Sequence, residues 1–220
     1  MKPIGIELEA GLINAEGKMV EPSLYGFEYR DETDEMGFLL EIRVPPSDNP
    51  KEIFANAFKE ISLVDYKARK KGMQIRFSSH YFKEKVWIAD IAEKYNIYAF
   101  ECYAKNIYGT KKNHHLGIFP VDENEVLLTA GIHVHFASDK GFNMNQVEKI
   151  VKMMDEARPD YIKEAKRIKG EYELKVVEGS LVKRFEYRSY PNKHYDLSME
   201  EYLFDVLRVA FEIYHKVIEG

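Results

Sequence analysis

Lys183-Arg-Phe-Glu-Tyr-Arg-Ser-Tyr-Pro191 alternates between charged and aromatic residues. Successive side chains of a β-strand point to opposite faces, so the stretch predicts a strand with Arg184, Glu186 and Arg188 on one face and Phe185 and Tyr187 on the other. A carboxylate between two guanidiniums suits a metal ligand flanked by phosphate clamps. It equally suits a solvated charge ladder on a half-buried strand. The rest of the chain bears on that choice.

Three further stretches repeat the design. In Ile4-Gly-Ile-Glu-Leu-Glu-Ala10, Ile4, Ile6 and Leu8 share one face and Glu7 and Glu9 the other. Two carboxylates side by side on a strand repel unless a cation lies between them, which marks Glu7 and Glu9 as metal candidates. Asn14-Ala-Glu-Gly17 predicts a turn that returns residues 18–20 as a hairpin. In Gly37-Phe-Leu-Leu-Glu-Ile-Arg-Val-Pro45, Leu40, Ile42 and Val44 oppose Leu39, Glu41 and Arg43, and Pro45-Pro46 is expected to stop the strand. Residues 125–137 read as one strand in which His133 and His135 share a face, either as metal ligands or as incidental surface histidines. A shorter strand over residues 73–78 pairs Ile75 with Phe77. Arg76 lies on its other face, and His80, just beyond it, is either a site residue or a structural one.

Helical periodicity fills the intervals. Asn49 caps a helix opened by Pro50, with Glu52 placed for a capping box and Phe54, Ala57, Phe58, Ile61, Val64 and Ala68 as its apolar stripe. Gly72 is its natural end. Residues 86–95 read as a shorter helix. Residues 143–157 read as a helix with Val147, Ile150, Val151 and Met154 inward, and Pro159 opens another. Ser198 and Glu201 form a capping box ahead of a last helix with Leu203, Val206, Leu207, Ala210, Ile213 and Val217 buried. Amphipathic helices need an apolar sheet face to cover. The expected fold is therefore α+β: a mainly antiparallel sheet with helices packed on one face and the chemistry on the other, in a single domain spanning residues 1–220.

Composition narrows the function. The chain has 220 residues, 45% hydrophobic and 31% charged, which describes a globular protein with room for a sizeable core. A net charge of -5 offers no footprint for nonspecific nucleic-acid binding. No apolar run is long enough to span a bilayer, so no membrane association is expected. The lone Cys102 fits packing in a reducing compartment, and the N-terminus shows no signal-peptide pattern, so the expected location is cytoplasmic. Gly109-Thr-Lys-Lys-Asn-His-His115 is either a surface loop or a loop over a phosphate site. The polar strand faces collect Glu7, Glu9, Glu41, Glu186, His133 and His135, a set that needs divalent cations to offset its repulsion. Oxygen-rich ligation favours Mg2+ or Mn2+, and arginines beside it point to a nucleoside triphosphate.

Gly5-Ile-Glu-Leu-Glu9, Gly131-Ile-His-Val-His135 and Arg184-Phe-Glu-Tyr-Arg188, with Leu40-Glu-Ile-Arg-Val-Pro-Pro46 as a looser fourth block, resemble in this order the glutamine synthetase and glutamate–cysteine ligase superfamily, closest to its compact amidoligase branch. The resemblance covers the strands and not the helices between them. It implies a glutamine synthetase-like catalytic domain and an ATP-dependent carboxylate–amine ligase. Glu7, His133 and Glu186 would hold a metal bridging ATP phosphates, and Glu9 and Glu41 a second one, with Asp34 or Glu35 as a candidate third ligand. His135 would contact a phosphate, and Arg184 and Arg188 would neutralise the transferring phosphoryl group. Partners would be small-molecule or peptide carboxylates and amines, and association into a homo-oligomer is open. The chain is much shorter than a typical glutamine synthetase and shows no clear ammonia-site acid, so an amine larger than ammonia is expected. Other readings are a guanidino-kinase-like phosphotransferase, a metal-dependent hydrolase built on His133 and His135, and a non-catalytic binding protein.

Overall fold

In the computed structural model, which describes residues 3–34, 37–95, 105–108, 118–164, 168–194 and 196–218, an antiparallel sheet forms the frame. Its strands are β1 (Ile4–Ile13), β2 (Met19–Val20), β3 (Leu40–Ser47), β4 (Gln74–Arg76), β6 (Lys105–Asn106), β9 (Ile132–Phe142), β10 (Glu171–Glu178) and β11 (Leu181–Tyr187). A second sheet joins β5 (His80–Glu84), β7 (Ile118–Pro120) and β8 (Glu125–Thr129). The helices are α1 (Pro50–Arg69), α2 (Lys85–Tyr95), α3 (Met144–Ala157), α4 (Pro159–Glu164) and α5 (Met199–Ile218). The fold is α+β, as the alternation and periodicity predict.

The strand order β2-β1-β9-β11-β10-β6, with β3 beside β1, brings the charged blocks together. Ile6, Leu8, Val134, Phe136, Phe185 and Tyr187 are at most 1% exposed and form the apolar face. Phe136 and Phe185, opposite each other on β9 and β11, stack with centroids 5.1 Å apart. Helices α1, α3 and α5 cover this face with Ile53, Ala57, Val147, Ile150, Val151, Met154, Leu203, Val206 and Leu207. Asn143 and Gln146 close a capping box on α3, and Ser198 and Glu201 exchange cap hydrogen bonds ahead of α5.

Four expectations are corrected. Residues 125–137 are not one strand: β8 and β9 lie in different sheets, separated at Ala130 and Gly131. Pro45 and Pro46 do not stop β3, which runs to Ser47 at the sheet's periphery, where a missing N–H costs little. Glu52 does not box the cap of α1: Asn49 accepts from Lys51 N, and the Glu52 carboxylate takes the hydroxyl of Ser47 instead. The strand expected over residues 73–78 contracts to β4, and β5 follows it. Cys102, Glu35 and the 109–115 loop lie outside the described residues. Among the described residues, no helix is long and apolar enough to cross a membrane.

The small sheet, with α2, closes over a second core of Ile13, Met19, Phe38, Leu39, Tyr81, Ile91, Leu128 and Ala130. It sits at the far end of the charged face. Gly11, two residues beyond Glu9 and on the same side of β1, donates its N–H to Tyr81 Oη at 2.9 Å. A Cβ at Gly11 would meet the Tyr81 ring at 2.6 Å. Gly11→Ala is therefore expected to lower stability by about 1–3 kcal/mol, the range for overpacking, as read by urea denaturation. A variant as stable as wild type would contradict this contact.

Candidate functional site

Register places the charged residues in rows across the sheet. Directly opposed residues of antiparallel strands share a face. Arg43, Glu7 and His133 form one row across β3, β1 and β9. Gly5, His135, Glu186 and Glu173 form the next, across β1, β9, β11 and β10. Glu9 opposes Glu41. The alternation supplied the face, and the pairing supplied the neighbours.

Glu186 is the centre of this arrangement and is completely buried. Its Oε1 lies 2.9 Å from His133 Nδ1 and 2.8 Å from Arg188 Nη1, and its Oε2 lies 2.8 Å from Lys175 Nζ. Burial pushes its pKa up, but the charges of Arg188 and His133 outweigh burial and hold it well below the usual carboxylate range. An ionised carboxylate only accepts, so Nδ1–H of His133 donates to it. That contact orients the ring and turns His133 Nε2 away from Glu186. This atom is buried, has no hydrogen-bond partner among the described residues, and lies 3.6 Å from Glu9 Oε1. A histidine oriented by a carboxylate on one nitrogen, with the other open, is the usual arrangement of a metal-binding imidazole.

One ligand atom each from Glu7, His135 and Glu186 lie within 4.8 Å of one another. His135 Nε2 is 3.2 Å from Glu7 Oε2, and both of its ring nitrogens are buried without a hydrogen-bond partner among the described residues. Burial raises the Glu7 pKa, but the interactions with His135 and the charge of His133 together more than offset this and lower the group below its ordinary value. His133 Nδ1 is 4.0 Å from Glu7 Oε2, so both imidazoles border the same carboxylate. The resemblance assigns His133 to the Glu7–Glu186 set. The distances put His135 in that set and turn the open nitrogen of His133 toward Glu9.

Beyond them, Glu9 is buried and accepts the N–H of Gly131. Glu41 is raised to about 9 by burial and by the charge of Glu7, which Arg43 only partly offsets. Glu41 therefore carries a proton at neutral pH. Asp34 is buried, adds to the negative potential at Glu41, and accepts from Leu39 N at 3.0 Å. Three buried imidazole nitrogens without a hydrogen-bond partner among the described residues, set among the carboxylates of Glu7, Glu9 and Glu186, fit a hard or borderline divalent cation such as Mg2+ or Mn2+.

The arginines divide their work. Arg188 is committed to carboxylates, reaching Glu173 Oε2 at 3.1 Å as well as Glu186. Arg184, opposite Ala137 on β9, is exposed and pairs with no carboxylate among the described residues. Arg43 turns its Nε to Glu41 Oε1 at 2.8 Å and gives its other nitrogens to the carbonyls of Asp31 and Arg30. It thereby ties residues 30–31 to the site, although Arg30 must adopt a positive φ of 66° there.

His80 sits on β5 with its Nδ1 3.0 Å from Ser79 Oγ. Glu173, Lys175 and Asn192 were not singled out from the sequence. Tyr172 and Leu174 alternate with Glu173 and Lys175 as on the other strands, so the signal was present. Asn192, wholly buried, donates to the carbonyl of Glu9 and lies in an irregular segment that no periodicity marks. No protein-family model matches the chain, and no curated protein matches it.

Proposed function

We propose that this protein is an ATP-dependent carboxylate–amine ligase working through an acyl phosphate. The observation that carries the reading is the convergence of Glu7, His135 and Glu186 within 4.8 Å, beside the open nitrogen of His133. Glu7, His135 and Glu186 would hold one divalent cation, and Glu9, His133 and Glu41 would hold a second. Such a cation supplies charge neutralisation to the β- and γ-phosphates and to the carboxylate that attacks.

The chain's own residues do the rest. Arg184, exposed and without a carboxylate partner among the described residues, would face the incoming phosphates. Arg188 keeps Glu186 ionised and ready to ligate, and Arg43 lies beside Glu7 and Glu41 and partly offsets the upward push on Glu41. In the reaction, a carboxylate oxygen bonds to the γ-phosphorus as its bond to the β,γ-bridging oxygen breaks, and ADP leaves. The amine nitrogen then bonds to the acyl carbon, phosphate departs, and the amine proton is released. The substrates would be a small-molecule or peptide carboxylate and an amine larger than ammonia. The single cysteine suits a cytoplasmic setting.

The test is a phosphate-release screen with Mg-ATP against pairs of carboxylates and amines. The expected result is ADP and phosphate in equal amounts, with amide formed only when both substrates are present. ADP without free phosphate would instead identify a phosphotransferase. Hydrolysis that needs metal but no ATP would identify a hydrolase.

A further inference from the structure

We infer that Lys175 is a built-in counter-ion of the site, one that a divalent cation displaces from Glu186. The inference rests on the reading of Glu186 as a cation ligand. Lys175 Nζ lies 2.8 Å from Glu186 Oε2 and 2.9 Å from Glu173 Oε1. The pairing of β10 with β11 slips between Leu174 and Val176, so Lys175 stands in the irregular step and has no cross-strand partner. Bulged positions re-aim side chains, and here the ammonium is aimed at the one fully buried carboxylate of the face.

The other cation on Glu186 is less able to leave. Arg188 Nη1 is shared between Glu186 and Glu173, and a guanidinium is a rigid fork on a strand position. Lys175 is a point charge on a flexible stem, 21% exposed at its side chain. It can withdraw from Glu186 while keeping Glu173. Glu186 therefore keeps positive partners when no metal is bound.

A like charge beside a binding site opposes a dication. Cation entry at Glu186 must push Lys175 aside, and the displaced ammonium then offers one positive charge to an anionic group of the substrate. Metal and anion would bind cooperatively although they touch different residues. Lys175 is thus a positioning residue for the ligating carboxylate and a coupling element between the two ligands.

The experiment titrates MnCl2 into the full chain, followed by electron paramagnetic resonance of free Mn2+, with and without sulfate as a tetrahedral anion. Lys175→Met should bind Mn2+ about tenfold more tightly than wild type, the direction set by removing a like charge. Sulfate should tighten Mn2+ binding in wild type and not in Lys175→Met. Lys175→Arg, which restores the charge, should behave as wild type. A merely structural lysine would weaken binding when removed and would leave the sulfate effect alone. If Lys175→Met fails to fold, Lys175→Gln carries the same comparison. Unchanged or weaker Mn2+ binding in the variant, or an equal sulfate effect in both proteins, overturns the role of Lys175. Absence of Mn2+ binding in wild type overturns the cation site itself.

Discussion

Glu186→Gln is expected to lower metal-dependent ATP turnover by about a hundred- to a thousandfold, measured as phosphate release at saturating Mg-ATP. That is the scale on which loss of a single electrostatic group at a transferring centre is felt. The substitution keeps the shape of the side chain and removes its charge. It takes away a ligand of the proposed cation, and it leaves His133 Nδ1 facing a neutral amide, so the ring is no longer oriented by a charge. The same change costs stability, because Arg188 and Lys175 lose their shared partner. Breaking one partner of a buried ion pair costs about 3–5 kcal/mol. Glu173→Gln separates the two effects. Glu173 pairs with the same two cations but is not among the grouped ligand atoms. It should therefore lose stability comparably while retaining turnover within about tenfold of wild type. Equal losses of turnover in the two variants would mean that Glu186 acts through packing alone. His135→Ala and His133→Ala should resemble Glu186→Gln in turnover, and near-wild-type activity in both would remove the imidazoles from the site.

The strand faces were readable because burial imposes a period of two on each strand separately. Phe185, Tyr187, Ile6, Leu8, Val134 and Phe136 need no partner to declare which side is inward. The caps and stripes of α3 and α5 were readable for the same local reason. Register was not, because nothing in a strand's own pattern says which residue of another strand it will oppose. Hence His133 and His135 could be placed on one face but not assigned between Glu7, Glu9 and Glu186. The division at Ala130 and Gly131 was hidden by continuous apolar character: Leu128, Ala130 and Ile132 are all buried, but Leu128 and Ala130 in one core and Ile132 in another. Glu52 shows the complementary failure. Its spacing from Asn49 suits a capping box, yet Ser47, brought close by the end of β3, captures the carboxylate first.

Protein stability without metal is expected to fall as pH rises from about 6.5 to 9, and Mg2+ is expected to reverse that fall. Glu41 is the cause. Its folded pKa is raised to about 9 from an unfolded value of 4.5, so between those limits the native state holds a proton that the unfolded chain has lost. Stability then declines with pH, by up to about 1.4 kcal/mol per unit for one such group. Asp155 acts in the same direction, but its pKa is raised only to about 6, chiefly by burial, so its contribution ends below the window measured. Glu7 and Glu186 are lowered groups, and the stability they contribute is lost only in acid. A cation at Glu9, His133 and Glu41 would need Glu41 ionised. Binding should then release a proton, and apparent affinity should rise about tenfold per pH unit up to pH 9. The measurement is the melting temperature across pH 6.5–9 with and without MgCl2. The metal-induced rise should grow with pH in wild type. In Glu41→Gln, which imitates the protonated form, the apoprotein curve should be flat and the metal effect small. A metal effect of constant size across the window would show that Glu41 is not exchanging its proton for a cation, and would confine the cation to Glu7, His135 and Glu186.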